Sequence, residues 1–289
     1  VIVGQKKITI VTGPTASGKS SYALDLALQW DGVILNADSV QLYKGLPLLT
    51  AQPSPEAKEM VPHLLYEIFP SNAPFFSAGQ WIARLHPLVE TILNHDQTPL
   101  VVGGSGFYLL ALTKGLSPIP PVPLEIQKSL EEEPLADLYA KLCHIDSLCA
   151  ARLNPHDSQR IMRAVGVWQS TKKTLSQWHE EPRLPLPYTF DIKVLMPEKS
   201  LLWLKIEHRL KEMIKAGVFE EIKVFLETLE NKDLEFPLKK AVGFQEIKAF
   251  WDDQMTHPEA IQKILEKTRQ YAKRQMTWFR HQLPSYTKI

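Results

Sequence analysis

Gly13-Pro14-Thr15-Ala16-Ser17-Gly18-Lys19-Ser20 spells G-x-x-x-x-G-K-S, and the apolar run Ile8-Thr9-Ile10-Val11 stands just before it. A strand followed by this octet reads as a phosphate-binding loop. The glycines let the backbone curl so that successive N–H groups point at phosphate oxygens, Lys19 supplies charge, and the Ser20 hydroxyl is placed to hold Mg²⁺. Residues 20–29 then predict a helix with Tyr22, Leu24, Ala27 and Leu28 on its apolar side and its N-terminus facing the anion. By composition alone the pattern arises in roughly one chain in a hundred of this length, so octet and strand together carry the fold.

Composition bounds what surrounds it. The 289 residues, 44% of them hydrophobic, suffice for one large domain or a core with an insert. No segment approaches the roughly 20 consecutive apolar residues of a membrane span, and residues 1–7 lack the apolar core of a secretory signal, so a cytoplasmic enzyme is the expectation. Cys143 and Cys149 are the only cysteines. Six apart on one expected helix, they support neither a disulfide framework nor a zinc site and read as reduced structural thiols. The histidines show no metal-ligand spacing. The net charge of +1 hides an uneven distribution.

Two proline clusters, Ser117-Pro118-Ile119-Pro120-Pro121-Val122-Pro123 and Pro182-Arg183-Leu184-Pro185-Leu186-Pro187, read as extended connectors, because proline fixes φ and removes a donor. Between them Leu130, Leu135, Leu138, Leu142 and Ile145, and again Ile161, Val165 and Trp168, recur at helical spacing. Residues 190–196 alternate as a strand returning to the sheet, and long helices are expected over 201–229 and 258–282. The expected class is α/β: a parallel-sheet catalytic core of residues 1–114 and 189–289, a helical insertion domain of 115–188, and C-terminal helices.

Three further segments are chemically suggestive. The strand Val33-Ile34-Leu35 ends in Asn36-Ala37-Asp38-Ser39-Val40-Gln41, and the carboxyl ends of strands line the ligand crevice of an open α/β sheet. Asp38 should therefore face the loop, where it can bind Mg²⁺, accept a proton or merely cap a turn. The strand Leu100-Val101-Val102 runs into Gly103-Gly104-Ser105-Gly106 with no aspartate where a metal-binding carboxylate would follow. That turn would let backbone approach a ligand, with Ser105 as a hydroxyl donor, or would simply be tight. Residues 267–289 contain Lys267, Arg269, Lys273, Arg274, Arg280 and Lys288 and no acid, with Tyr271, Trp278 and Phe279 interleaved. Arg269, Lys273 and Arg280 share one helical face. Such a stripe suits a nucleic-acid backbone, or is a solvated face over core aromatics. Arg160 and Arg163 in the insert, and Arg209 in Ile206-Glu207-His208-Arg209-Leu210, also fit as partners of local acids.

In order along the chain, the phosphate loop, Asn36 to Gln41, Gly103-Gly104-Ser105-Gly106-Phe107-Tyr108, Asp157-Ser158-Gln159-Arg160-Ile161-Met162-Arg163-Ala164, Ala241-Val242-Gly243-Phe244-Gln245-Glu246 and Tyr271-Ala272-Lys273-Arg274-Gln275-Met276-Thr277-Trp278-Phe279-Arg280 resemble the signature of bacterial tRNA dimethylallyltransferases. The resemblance covers nearly the whole chain. It implies a P-loop NTPase-like core that uses its loop for dimethylallyl diphosphate rather than ATP. The reaction implied is Mg²⁺-dependent transfer of a dimethylallyl group to the exocyclic N6 amine of the adenosine just 3′ of the anticodon in tRNA, releasing diphosphate.

By the same resemblance Gly13, Thr15, Ala16, Ser17, Gly18, Lys19, Ser20 and Arg209 hold the diphosphate, and Ser20 the Mg²⁺. Asp38 is the general base, with Lys19 and Arg209 stabilising the leaving group. Asp38, Ser39, Val40, Gln41, Ser105, Gln127, Gln159, Arg160, Ile161, Met162, Arg163, Gly243, Phe244, Gln245, Lys273, Arg274, Gln275, Thr277, Trp278 and Arg280 surround the tRNA anticodon stem-loop. The chain departs from the family pattern at Leu64, usually His; at Gln127 and Lys205, usually Arg; and at Gly166, usually Glu. A monomeric, membrane-free enzyme is expected. The rival readings are a P-loop small-molecule kinase, which would leave the basic helix without a task, and a free-nucleotide prenyltransferase of cytokinin type.

Overall fold

The computed structural model describes residues 6–183, 186–229, 235–283 and 285–289. The described residues form two compact units, one drawn from Val1–Thr113 and Pro187–Ile289, the other from Lys114–Leu186. The first is built on a parallel six-stranded sheet of β1 (Lys7–Thr12), β2 (Gly32–Asn36), β3 (His63–Leu64), β4 (Thr98–Gly103), β5 (Thr189–Val194) and β6 (Thr287–Lys288), in the order β3-β2-β4-β1-β5-β6.

β1, β2 and β4 are buried along almost their entire length, as unbroken apolar runs require when helices cover both faces of a sheet. The register sets Thr12 beside Gly103 and Asn36 beside Val102. The carboxyl ends of three neighbouring strands are thereby gathered in one place, where an open parallel sheet binds its ligand. β3 is only two residues long, too short to leave a periodic signal, and went unread in the sequence.

Several helices differ from expectation. The helix Lys19–Gln29 buries Ala23, Leu26 and Ala27, with Tyr22 and Leu24 packed at the margin; Leu28 is 50% exposed, so the apolar side is turned from the one expected. The expected helix over 201–229 is two, Lys199–Lys215 and Val218–Glu227, broken at Gly217, whose φ of 91° is left-handed and ends the first helix. Cys143 and Cys149 lie on separate helices, Leu135–Ile145 and Ser147–Ala150, because Asp146 caps the second through the Cys149 N–H; both thiols are free. The last long helix, His257–Gln282, opens with a capping box in which Thr256 Oγ1 accepts from Glu259 N and Glu259 Oε2 from Thr256 N.

In the second unit, Leu130, Leu138, Leu142, Ala150, Ile161, Ala164 and Val165 form one core. Gly166 belongs to its packing, since an added Cβ would come within 3.0 Å of Val122 Cγ1 and 3.2 Å of Leu130 Cδ1. No helix among the described residues is long and apolar enough to cross a membrane.

Candidate active site

The octet leaves β1 at Thr12 and enters the helix Lys19–Gln29 through Gly18, whose φ of 94° is left-handed. No side chain caps this helix and its first turn carries no acid. Its leading N–H groups are therefore available to an anion, and the helix dipole adds to the attraction. The Ser17 hydroxyl is buried without a partner. Arg209, on the helix Lys199–Lys215 between buried Ile206 and Leu210, points its guanidinium at the loop, where Nη1 donates to Thr15 Oγ1 at 3.1 Å. It is no surface partner of a neighbouring acid.

Asp38 is fixed by the end of β2. Asn36, fully buried, accepts Asp38 N–H on Oδ1 at 2.8 Å and donates from Nδ2 to the carbonyls of Asp38 and Leu65, both at 3.0 Å. Asn36 O is in turn held at 2.9 Å by the indole N–H of buried Trp81. The Asp38 carboxylate accepts Val40 N–H at 3.2 Å. The turn is thus defined by side chains on its concealed side, leaving Asp38 presented to the cavity.

That cavity, of about 400 Å³, has two kinds of lining. Thr15, Lys19, Ser20, Asp38 and Arg209 supply polar and charged lining; Leu49, Ile206, Leu210, Met213, Val218, Val242, Ile247 and Ile264 supply apolar lining. Asp38 is its only lining carboxylate among the described residues. Burial pulls the Lys19 ammonium from 10.5 down to about 8; the Asp38 carboxylate draws it back up and the Arg209 guanidinium presses it lower. Burial likewise raises Asp38, against Lys19, the Val40 N–H and Arg209, and it lowers Arg209, against Asp38. This excess of desolvated positive charge is what a polyanion would neutralise.

No cluster of three His, Cys, Asp or Glu able to hold a metal occurs among the described residues. A magnesium ion does not need one. It keeps several waters and takes one or two protein oxygens plus substrate phosphates, and the Ser20 hydroxyl beside the loop is suited to supply such an oxygen.

The glycines after β4 serve a purpose the sequence did not reveal. Their close approach is to protein. A Cβ on Gly103 would meet the Ala37 carbonyl at 2.2 Å, one on Gly104 would meet Gln275 Nε2 at 2.5 Å, and one on Gly106 the Trp278 ring at 2.6 Å. Ser105 Oγ accepts Ser39 N–H at 3.0 Å and so ties the two strand ends together. Gln41 donates from Nε2 to the Thr50 and Ala51 carbonyls at 2.9 and 2.8 Å.

The residues grouped by resemblance around tRNA therefore divide by environment. Lys273, Arg274, Thr277 and Arg280 are exposed, Trp278 is half-buried, and Gln275 is only 7% exposed with both ends of its carboxamide bonded inside the protein. Arg269 leaves the exposed stripe: it is partly buried and lies 3.8 Å from Glu207. Gly243, with φ 101°, and buried Phe244 shape the turn beside the cavity-lining Ala241 and Val242, whereas Gln245 is exposed. In the second unit Gln159, Arg160 and Arg163 are exposed on the helix Ser158–Thr171, Arg160 pairing with Asp157. Ile161 is fully buried in that unit's core, and Met162, partly buried, packs against that core. Gln127 Nε2 donates to the Val122 carbonyl at 2.6 Å.

Sequence reading missed Tyr66 and the apolar lining, and took Tyr271 for an aromatic of the basic stripe rather than a lining residue. Tyr66 and Tyr271 line the cavity near Asp38, and burial raises both phenols. Ile206, Leu210 and Met213 follow ordinary helical spacing, as do Ile264, Thr268, Tyr271 and Gln275, which is the same signal that any core-facing helix gives.

Residues 41–282 match the family model described as IPP transferase. A tRNA dimethylallyltransferase of Chelativorans sp. (strain BNC1) is 42% identical over 284 residues, covering 96% of each chain. The full-length tRNA isopentenylpyrophosphate transferase of Bacillus halodurans superposes with a TM-score of 0.71 at 28% identity, over 99% of this chain and 90% of that one. A eukaryotic dimethylallyltransferase crystallised acting on tRNA reaches a TM-score of 0.83 at 24% identity, over 94% of this chain and 69% of that one, a likeness of fold. Together with a phosphate loop, a buried carboxylate and an apolar wall meeting in one cavity, these matches establish that the chain belongs to the IPP transferase family.

Proposed function

We propose that the protein transfers a dimethylallyl group from dimethylallyl diphosphate to the N6 amine of the adenosine 3′ of the anticodon in tRNA. The observation that carries this reading is the mixed lining of the cavity: Lys19, Arg209 and the helix N-terminus suit a diphosphate, and the apolar residues Leu49, Ile206, Leu210, Met213, Val218, Val242, Ile247 and Ile264 suit a branched C5 chain. Asp38 supplies the one lining carboxylate among the described residues. An ATP-using kinase has no need of the apolar wall. A free-nucleotide prenyltransferase leaves the exposed Lys273, Arg274 and Arg280 idle.

In this mechanism the N6 lone pair attacks C1 of the dimethylallyl group and the C1–O bond breaks. The electron pair leaves with the diphosphate, and the N6 proton passes to Asp38. Adenine N6 is a poor nucleophile because its lone pair is delocalised into the ring, so removing the proton as the bond forms is worth about 10²–10⁴-fold. Lys19, Arg209 and the loop amides face the oxygen on which charge develops. Mg²⁺, bound at Ser20 and the diphosphate, would add positive charge at that oxygen. Thr15, Ala16, Ser17, Gly18 and Gly13 shape the anion's cradle.

In the second unit Gln159, Arg160 and Arg163 serve as tRNA contacts; in the first, Ser39, Ser105, Gln245 and the exposed stripe of the last helix do. The target base leaves its stack at a cost of about a few kcal/mol, which is lowest in a single-stranded loop. A tRNA substrate supports a cytoplasmic location. The decisive experiment is mass spectrometry of anticodon stem-loop RNA incubated with the protein, Mg²⁺ and dimethylallyl diphosphate. A gain of one C5H8 unit on that adenosine is expected; modification of AMP but not of RNA would overturn the reading.

A further inference from the structure

One carboxamide joins the phosphate loop to the last helix. Thr15 N–H, an amide of the anion cradle itself, donates to Gln275 Oε1 at 2.8 Å, and Gln275 Nε2 donates to Gly104 O at 3.0 Å. Thr15 also receives Arg209 Nη1 on its hydroxyl at 3.1 Å, so the position of this single residue governs both the loop and the guanidinium above it. Gln275 is 7% exposed, and both ends of its carboxamide are bonded to protein. Its neighbours on the same helix turn, Lys273, Arg274 and Thr277, are exposed. Trp278, three residues on, lies against Gly106 so closely that a Cβ there would meet its ring at 2.6 Å. The helix cannot shift without moving Thr15, Gly104 or both.

We propose that Gln275 is a positioning residue that sets the geometry of the diphosphate loop and couples it to whatever occupies the exposed cationic face of the same helix. For the RNA arm this rests on the tRNA prenyl-transfer reading given above; for the diphosphate arm it does not. RNA held on Lys273, Arg274 and Arg280 fixes the helix, the helix fixes Thr15 through Gln275, and the diphosphate then binds a loop already in place. Linkage makes the effect reciprocal, so diphosphate tightens RNA binding by the same factor.

The test uses inorganic diphosphate with Mg²⁺ as probe, titrated calorimetrically into the full chain with and without anticodon stem-loop RNA. In the unmodified protein the RNA should tighten diphosphate binding at least about fivefold. Gln275→Leu, which keeps the shape and removes both bonds, should weaken diphosphate binding about tenfold, leave RNA affinity unchanged and reduce the coupling factor to one. In turnover, KM for the diphosphate substrate rises while KM for RNA does not, a split that general loss of stability would not produce. Unchanged diphosphate affinity in the variant, or lost RNA affinity with intact diphosphate binding, overturns the proposal. If the variant does not fold, hydrogen exchange at the Thr15 amide of the unmodified protein decides: protection that deepens on adding RNA is expected, and an unprotected or RNA-insensitive amide refutes it. A protein that binds diphosphate but no anticodon RNA sinks the functional reading alone, and the clamp is then judged on the variant's diphosphate affinity.

Discussion

Replacing Asp38 by asparagine separates chemistry from binding more cleanly than any other change at this site. The amide retains an oxygen for the Val40 N–H, and the turn is set by Asn36 and Trp81 behind it, so the backbone has no reason to move. What disappears is a proton acceptor and the only cavity carboxylate among the described residues. Loss of general-base assistance should slow transfer by about 10²–10⁴-fold, equivalent to about 2.7–5.4 kcal/mol of barrier. Diphosphate affinity should move the other way or not at all, because a negative charge facing an anion has been removed. Since Asp38 also holds Lys19 up, Lys19 in the variant should fall below about 8, which moderates that gain. The assay is single-turnover transfer of labelled prenyl group to excess enzyme-bound RNA, alongside calorimetric binding of diphosphate. The acid limb of the rate profile, which burial places above the ordinary 3.8 of an aspartate, should vanish with the carboxylate. A rate within tenfold of the unmodified protein would refute the role of Asp38 as base.

Other outcomes follow from the same geometry. Lys19 titrates at about 8 in the folded chain against 10.5 when exposed, so diphosphate affinity should fall as pH rises through 8; Lys19→Met, compared over the same range to remove the ligand's own ionisation, should show no such fall. For stability the sign is opposite: the buried ammonium penalises the ligand-free fold below about 8, the penalty fades between 8 and 10.5, and denaturant titrations of the two proteins should converge there. Neutralising Lys273, Arg274 and Arg280 together should lower the slope of log RNA affinity against log salt by about 2, at about 0.7 per single-strand contact, with diphosphate affinity measured in parallel; an unchanged slope would move the RNA surface elsewhere. Gly103→Ala forces a methyl to 2.2 Å from the Ala37 carbonyl. It should cost at least about 1–3 kcal/mol of stability as overpacking, read from the urea midpoint.

Much of this was legible in the sequence because it is local. The octet needs only its own glycines and the preceding strand to declare itself, and β1, β2 and β4 show as apolar runs because both of their faces are covered. Asp38 was readable from its place at a strand end. The apolar wall was not, since Ile206, Leu210 and Met213 carry the same periodicity whether they face a core or a cavity. The glycines at the end of β4 were read either as room for a ligand or as a tight turn. They are room for Gln275 and Trp278, partners 171 and 172 residues away, and nothing local distinguishes the two uses. Arg209 fitted a surface ion pair equally well until the helix Lys199–Lys215 was seen to face the loop.

The bond between Thr15 and Gln275 spans 260 positions of the chain. One amide of the phosphate-binding octet thus waits for a partner synthesised far later. A nascent chain that has paired β1 with β4 and β5 already has its strand, its loop sequence and its lysine in order, but not the loop's final geometry. The loop's geometry in this fold is completed only once the last helix docks, so an intact octet is not by itself a finished anion site.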